Sequence, residues 1–292
     1  MKGPDAPVVV GVDGSSSALA AVRWAAEECA RHHTRLRLVH GYSLPVRGYP
    51  EIIMTGNEIR RAIQDQAHEW LTEATAAARA AAPGVEVVTE VVADSGTHLL
   101  IEESRAARLM VLGSTGLGNV TGLLVGSTAL ALASHGECPL VVVRGTAVPD
   151  GPVVVGVDGS PTSEAALAFA FEEASTRGCG LTAILCWQDF MVESAYSATR
   201  FTVDWGQVEG EERRLLAQRL AGWQEKYPDV EVHRVVLRDR PVRALMRYGA
   251  EAQLVVVGSH GHGGFAGMLL GSTSQALVYN APCPLAIVRQ AG

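Results

Sequence analysis

Lysine is nearly absent from this sequence. The 292-residue chain has only Lys2 and Lys226, its arginines are scattered, and acidic residues outnumber basic ones to leave a formal net charge of −7. A basic footprint for nucleic acid is therefore missing, and no run of like charge marks a tail or a membrane patch. Long apolar stretches are missing as well. The opening "MKGPDAPVVVGVDG" holds a five-residue apolar run, too short for the core of a signal peptide. Nothing approaches the roughly 18 apolar residues of a membrane span. The cysteines, Cys29, Cys138, Cys179, Cys186 and Cys283, are odd in number and lack CxxC spacing, which fits a reduced, cytoplasmic protein. GxxxxGK[ST] does not occur, so the chain is not a P-loop NTPase. GxGxxG does not follow the first strand, which disfavours a dinucleotide fold, and no GxSxG elbow presents a nucleophilic serine. The histidines form no set with zinc-like spacing. His32-His33 reads as a solvated helix end.

What is present is a core-forming composition, 48% hydrophobic and 19% charged, written out twice. "VVVGVDGSSSALAAVRWA" at 8 returns as "VVVGVDGSPTSEAALAFA" at 153, and "ECPLVVVR" at 137 returns as "PCPLAIVR" at 282. Asp13 and Asp158, Gly113 and Gly258, and Arg144 and Arg289 are each 145 residues apart. A constant offset means two copies of one domain, 1–147 and 148–292, joined near "RGTAVPDGP". Within the first copy, short β-branched runs at 7–12, 36–41, 85–92, 108–113 and 139–144 read as strands. Helices follow Ser15–Ser17 and cover about 58–82, 97–107 and 127–135. Alternating strands and helices predict an α/β fold, a doubly wound sandwich on a five-stranded parallel sheet in each copy. Ligands of such sheets sit at the carboxyl ends of strands, where the strand order reverses. The segments 43–57 and 188–206 are the least regular and read as lids or disordered loops.

The chemistry concentrates after the fourth strand, in "GSTGLGNVTGLLVGST" (113–128) and "GSHGHGGFAGMLLGST" (258–273). Both copies keep G-x2-G-x9-G-S. The residues are Gly113, Gly116, Gly126 and Ser127 with Thr128, then Gly258, Gly261, Gly271 and Ser272 with Thr273. Glycines let backbone N–H groups approach an anion, and a helix opening at Gly-Ser-Thr favours phosphate. A glycine-rich surface loop with an ordinary helix cap explains one copy alone equally well. His260 stands where the first copy has Thr115, close enough in sequence to touch a phosphate. Asp13 and Asp158 follow the first strand of each copy. Either they meet ribose hydroxyls or a phosphate-bound Mg²⁺, or they are turn aspartates that satisfy local N–H groups.

"GVDGS" after the first strand, the glycine motif after the fourth and the closing "CPLVVVR" resemble tandem universal stress proteins of the ATP-binding type, over essentially both copies. The resemblance implies strand order 3-2-1-4-5, as in the adenine nucleotide alpha-hydrolase-like fold, and ATP with Mg²⁺ at the strand ends. Carried over, Asp13 and Asp158 contact ribose or metal, and the two glycine sets with Ser127, Thr128, Ser272 and Thr273 hold the phosphates. Val12, Gly41, Val157 and Cys186 meet the nucleoside at the ends of the first two strands. The family often has Val where Gly41 and Cys186 stand, and the loops "ADSGT" and "LRDRP" differ between copies, so the two sites are expected to differ in affinity. The implied protein is a nucleotide-responsive stress regulator with little or no turnover, the alternative being an ATP-hydrolysing or adenylyl-transferring enzyme of the same fold. Its two domains would pack as an intrachain pseudo-dimer through the closing strands, with room for a homodimer. Gly113→Val and Gly258→Val are expected to abolish binding while the fold survives.

Overall fold

Three valines in a row start the first sheet because both of its faces are covered: Val8, Val9 and Val10 are 1%, 0% and 0% exposed. A strand buried on both sides needs no polar alternation. The computed structural model describes residues 6–43, 50–116, 126–187, 205–261 and 270–290, and the chain parts into two units between Arg144 and Gly145.

The first unit runs β1 (Val8–Gly11), α1 (Ser16–His32), β2 (Leu36–Gly41), α2 (Pro50–Ala81), β3 (Val87–Val92), α3 (Gly96–Ser104), β4 (Leu109–Gly113), α4 (Ser127–His135) and β5 (Leu140–Val143). The second runs β6 (Val153–Val157), α5 (Pro161–Arg177), β7 (Leu181–Cys186), α6 (Trp205–Lys226), β8 (Val232–Leu237), α7 (Pro241–Gly249), β9 (Leu254–Gly258), α8 (Ser272–Asn280) and β10 (Leu285–Val288). All pairings within each unit are parallel. The order is β3-β2-β1-β4-β5 in the first and β8-β7-β6-β9-β10 in the second, the 3-2-1-4-5 arrangement that the family resemblance implied. The chain leaves β1 in one direction for β2 and returns on its other side as β4. Right-handed crossovers therefore send α1 and α2 to one face and α3 and α4 to the other. The members of each pair pack on one another. A crevice opens between the carboxyl ends of β1 and β4. No described helix is long and apolar enough to cross a membrane.

Local chemistry sets the helix ends. Ser15 and Ser160 cap α1 and α5 by accepting from the amides of Ala18 and Ser163, and Pro161 suits the first helical position of α5. The helix expected at 58–82 begins earlier, at Pro50. Pro50 sits where its missing N–H costs nothing, and Gly56 lies inside the helix. The remainder of that irregular stretch, 44–49, lies outside the described residues, as does 188–204, while Trp205 and Gly206 already belong to α6. Trp223 packs from α6 in a stack with Phe171 and Tyr227.

His32 is not a solvated helix end. Its side chain is 8% exposed, with Nε2 3.0 Å from Glu28 Oε1, and Arg108 reaches its Nδ1 at 3.1 Å. His33 closes α1 in the left-handed region at φ 51°. The equivalent residue of the second unit is Gly178 at φ 63°, which pays no Cβ penalty there. His33→Gly should therefore stabilise the chain by about 0.5–1 kcal/mol, read as a raised midpoint in denaturant unfolding. An unchanged or lowered midpoint contradicts the strain.

Candidate functional site

Asp13 fills the turn role that the sequence offered and turns its second oxygen toward the glycine loop. Gly14, at φ 81°, turns the chain just beyond β1. One carboxylate oxygen of Asp13 serves this turn, Oδ1 accepting from the Ser15 amide at 3.0 Å and the Ser15 hydroxyl at 2.6 Å. The other faces the glycine loop: a Cβ built at Gly116 would lie 2.6 Å from Asp13 Oδ2. Asp158 repeats the arrangement. Its Oδ1 accepts from the Ser160 amide at 2.9 Å, and its Oδ2 abuts Gly261.

The loop is anchored by a residue that the sequence reading passed over. Ser17 Oγ donates to the Thr115 carbonyl at 2.5 Å and accepts from the Thr115 amide at 3.2 Å. In the second unit the equivalent Thr162 donates to the His260 carbonyl. A hydroxyl at this one position of both copies, in "SSS" and "SPT", was the available signal. The loop's two ends are joined by a backbone bond, Gly126 N to Ser114 O at 3.1 Å and Gly271 N to Ser259 O at 2.8 Å. The loop interiors, 117–125 and 262–269, lie outside the described residues.

Beyond the loop, α4 and α8 are capped by Gly126 and Gly271, neither of which makes a side-chain cap bond. Ser127 and Ser272 are thus first helical residues, not caps. This first turn has no side-chain cap bond, and its amides carry the positive end of the helix dipole. Thr128 Oγ1 is 3.0 Å from Thr97 Oγ1, which ties the starts of α3 and α4 together. Between these elements in the first unit lies a cavity of about 490 Å³, lined by Val12, Asp13, Gly41, Gly113, Gly116, Gly126, Ser127 and Thr128 among others. Its apolar wall comes from Ala18, Val39, Leu99, Leu100 and Leu112, core-facing residues with no distinctive spacing. Its size and mixed lining are those of a small-molecule site.

Several expected ligand residues also have structural tasks. A Cβ at Gly113 would fall 2.5 Å from the carbonyl carbon of Ser17, and one at Gly258 2.9 Å from that of Thr162. These glycines let the first turn of the helix lie on the strand end, so valine there would push against backbone and the fold would not be spared. Gly41 is glycine because a Cβ would come within 2.9 Å of Gly96 Cα. That close approach explains the departure from Val. The Val12 amide donates to Val39 O at 2.9 Å, and the Val12 carbonyl is 2.7 Å from His40 Nδ1, whose ring meets Trp70 edge-on. In the second unit, Val157 is buried. Burial pushes the Cys186 thiol up to about 11, which suits a packing role. His260 is held through Nδ1 by Ser259 Oγ at 3.0 Å.

Among known proteins, the profile of the universal stress protein family matches residues 6–144 and 151–289. A universal stress protein of Mycolicibacterium smegmatis is 41% identical over 288 residues, covering 97% of this chain and 96% of its own. One from Mycobacterium tuberculosis is 42% identical over 294 residues, covering 97% of each. The crystal structure of a universal stress protein from Archaeoglobus fulgidus covers 98% of both chains with a TM-score of 0.68 at 19% identity, a likeness of fold.

The two kinds of glycine should separate in stability measurements. Gly113→Val should cost about 1–3 kcal/mol through overpacking. No described atom lies within 4 Å of a Cβ at Gly126, and its φ of −60° and ψ of 141° suit a capping side chain. Gly126→Asp should therefore stay within about 0.5 kcal/mol of the parent. Equal losses in urea unfolding would contradict this division.

Proposed function

The chain belongs to the universal stress protein family, and from that premise we propose that it binds ATP, with Mg²⁺, at the carboxyl end of the sheet and acts as a nucleotide-responsive regulator rather than as an efficient catalyst. The observation that carries this reading is the meeting of Asp13 Oδ2 with Gly116 at a cavity that also contains the glycine-capped start of α4. A helix N-terminus attracts phosphate, whereas a carboxylate beside it repels one. The two are compatible when the carboxylate meets ribose hydroxyls or a cation carried by the phosphates.

Mg²⁺ fits this donor set, since it is commonly held by one or two carboxylates together with substrate phosphates. Asp13 is the residue that would hold it, and the ion would supply charge neutralisation for the triphosphate. The protein's own part is positional. Ser17 fixes the loop entrance, the α4 amides face the anion, and the Thr97–Thr128 contact holds the two helix starts together. The apolar wall of Val39, Leu99 and Leu100 suits a purine. Binding by amides in place of lysine suits a site that senses a nucleotide, because no cationic side chain is among the described residues that line the cavity.

Gly126→Asp tests the reading without disturbing the fold. The new carboxylate caps α4, occupies its amides and repels phosphate. ATP affinity in magnesium, measured by calorimetry, should fall by roughly a hundredfold, about 2.7 kcal/mol. Unchanged affinity in a folded variant would reject the α4 terminus as the phosphate site.

A further inference from the structure

The sheet of the second unit ends at β8, which pairs only with β7 among the described residues. The Leu181 amide donates to the Glu231 carbonyl at 2.9 Å, and the Trp187 amide donates to the Leu237 carbonyl at 3.0 Å. In a parallel ladder of this register, that phase turns the backbone groups of His233, Val235 and Leu237 toward β7. Those of Val232, Arg234 and Val236 turn outward. The outward N–H and C=O groups bond no described residue, so β8 offers a template for one more strand.

A groove follows this edge. The helices α6 and α7 cover opposite faces of the sheet, and between them lies a hollow of about 510 Å³. Arg213 and Leu216 of α6 line one side, Tyr248 of α7 lines the other, and residues 233–236 of β8 lie along it. The first unit has ion pairs at the equivalent place. There Arg37 Nε donates to Glu103 at 2.8 Å, and the same guanidinium bonds Glu90 of β3. The counterparts of Arg37, Glu103 and Glu90, 145 residues on, are Thr182, Tyr248 and Val235, which cannot form that clasp.

Charge selects the occupant. The chain carries a net −7, yet the side chains along this groove are basic. Glu209 offsets Arg213. Arg234 donates to the neutral side chain of Gln224 at 2.7 Å and has no carboxylate partner among the described residues. His233 beside it is exposed. A second copy of the chain would bring either β8, with the same Arg234, or β3, whose Glu90 is already held by Arg37. An extended segment with carboxylates at alternate positions places them all on one face, where they can meet Arg234.

We propose that the β8 edge is a docking site for an extended acidic peptide of a partner protein, which adds as a strand through the outward groups of Arg234 and Val236 and sets a carboxylate against Arg234. The site is independent of nucleotide binding in the first unit, since none of its residues belongs to that unit.

The test is amide-resolved hydrogen exchange on the ¹⁵N-labelled full chain. The probes are a panel of short capped peptides that alternate a β-branched residue with glutamate, and a matched panel with lysine. At low salt the glutamate peptides should slow exchange at the Arg234 and Val236 amides, and the lysine peptides should not. Arg234→Glu should weaken the glutamate peptides by roughly tenfold. Val236→Pro removes an outward N–H that β7 does not use, and it should abolish the protection at Arg234. In both variants the Leu181 and Trp187 amides, which β8 carbonyls accept, report that the edge is still folded. Exchange unchanged by every glutamate peptide would overturn the proposal. So would equal protection by the lysine panel, or protection in the absence of peptide that rises with self-association of the chain.

Discussion

The architecture of the site depends on β4 ending without a side chain. The first turn of α1 lies against Gly113 so closely that a Cβ would meet Ser17 backbone. Because the helix can come that near, Ser17 reaches both the amide and the carbonyl of Thr115 and fixes where the glycine loop departs. The loop entrance in turn lies against Asp13 at Gly116, and its exit delivers Gly126 to the start of α4. Three elements distant in sequence are thus positioned by one missing methyl group, and the second unit repeats the contact through Gly258 and Thr162.

Electrostatics explain how such a site can favour an anion in a chain with so few lysines. The attraction comes from backbone N–H groups aligned at a helix start, which carry partial charge without a flexible side chain to immobilise. Asp13 opposes a bare phosphate and favours one that arrives with a cation or hydroxyls attached. On the proposed reading, the combination would select for a composite ligand such as a nucleotide bound to a divalent ion.

Much of this was legible in the sequence because it depends on period and repeat. The strand at Val8–Gly11 is a β-branched run, the 145-residue offset of Asp13 and Asp158 marks the duplication, and the 3-2-1-4-5 order follows from family resemblance. Contacts between distant backbones were not legible. Gly113 and Gly126 look alike in a motif, yet one is a packing glycine and the other an open cap. Gly41 looked like a departure from pattern and is a steric requirement imposed by Gly96. His32 looked solvated at the end of α1, but Glu28 one turn earlier and Arg108 from the β4 approach enclose it.

The central claim is that main-chain amides of Gly116, Ser127 and Thr128 hold the phosphate end of the nucleotide. Amide-resolved nuclear magnetic resonance on the ¹⁵N-labelled chain, titrated with MgATP and with adenosine, addresses it directly. The account predicts that these three amides shift with MgATP and stay near their free positions with adenosine, while residues of the apolar wall respond to both. If MgATP binds and these amides do not move, the phosphates are held elsewhere and the account is wrong.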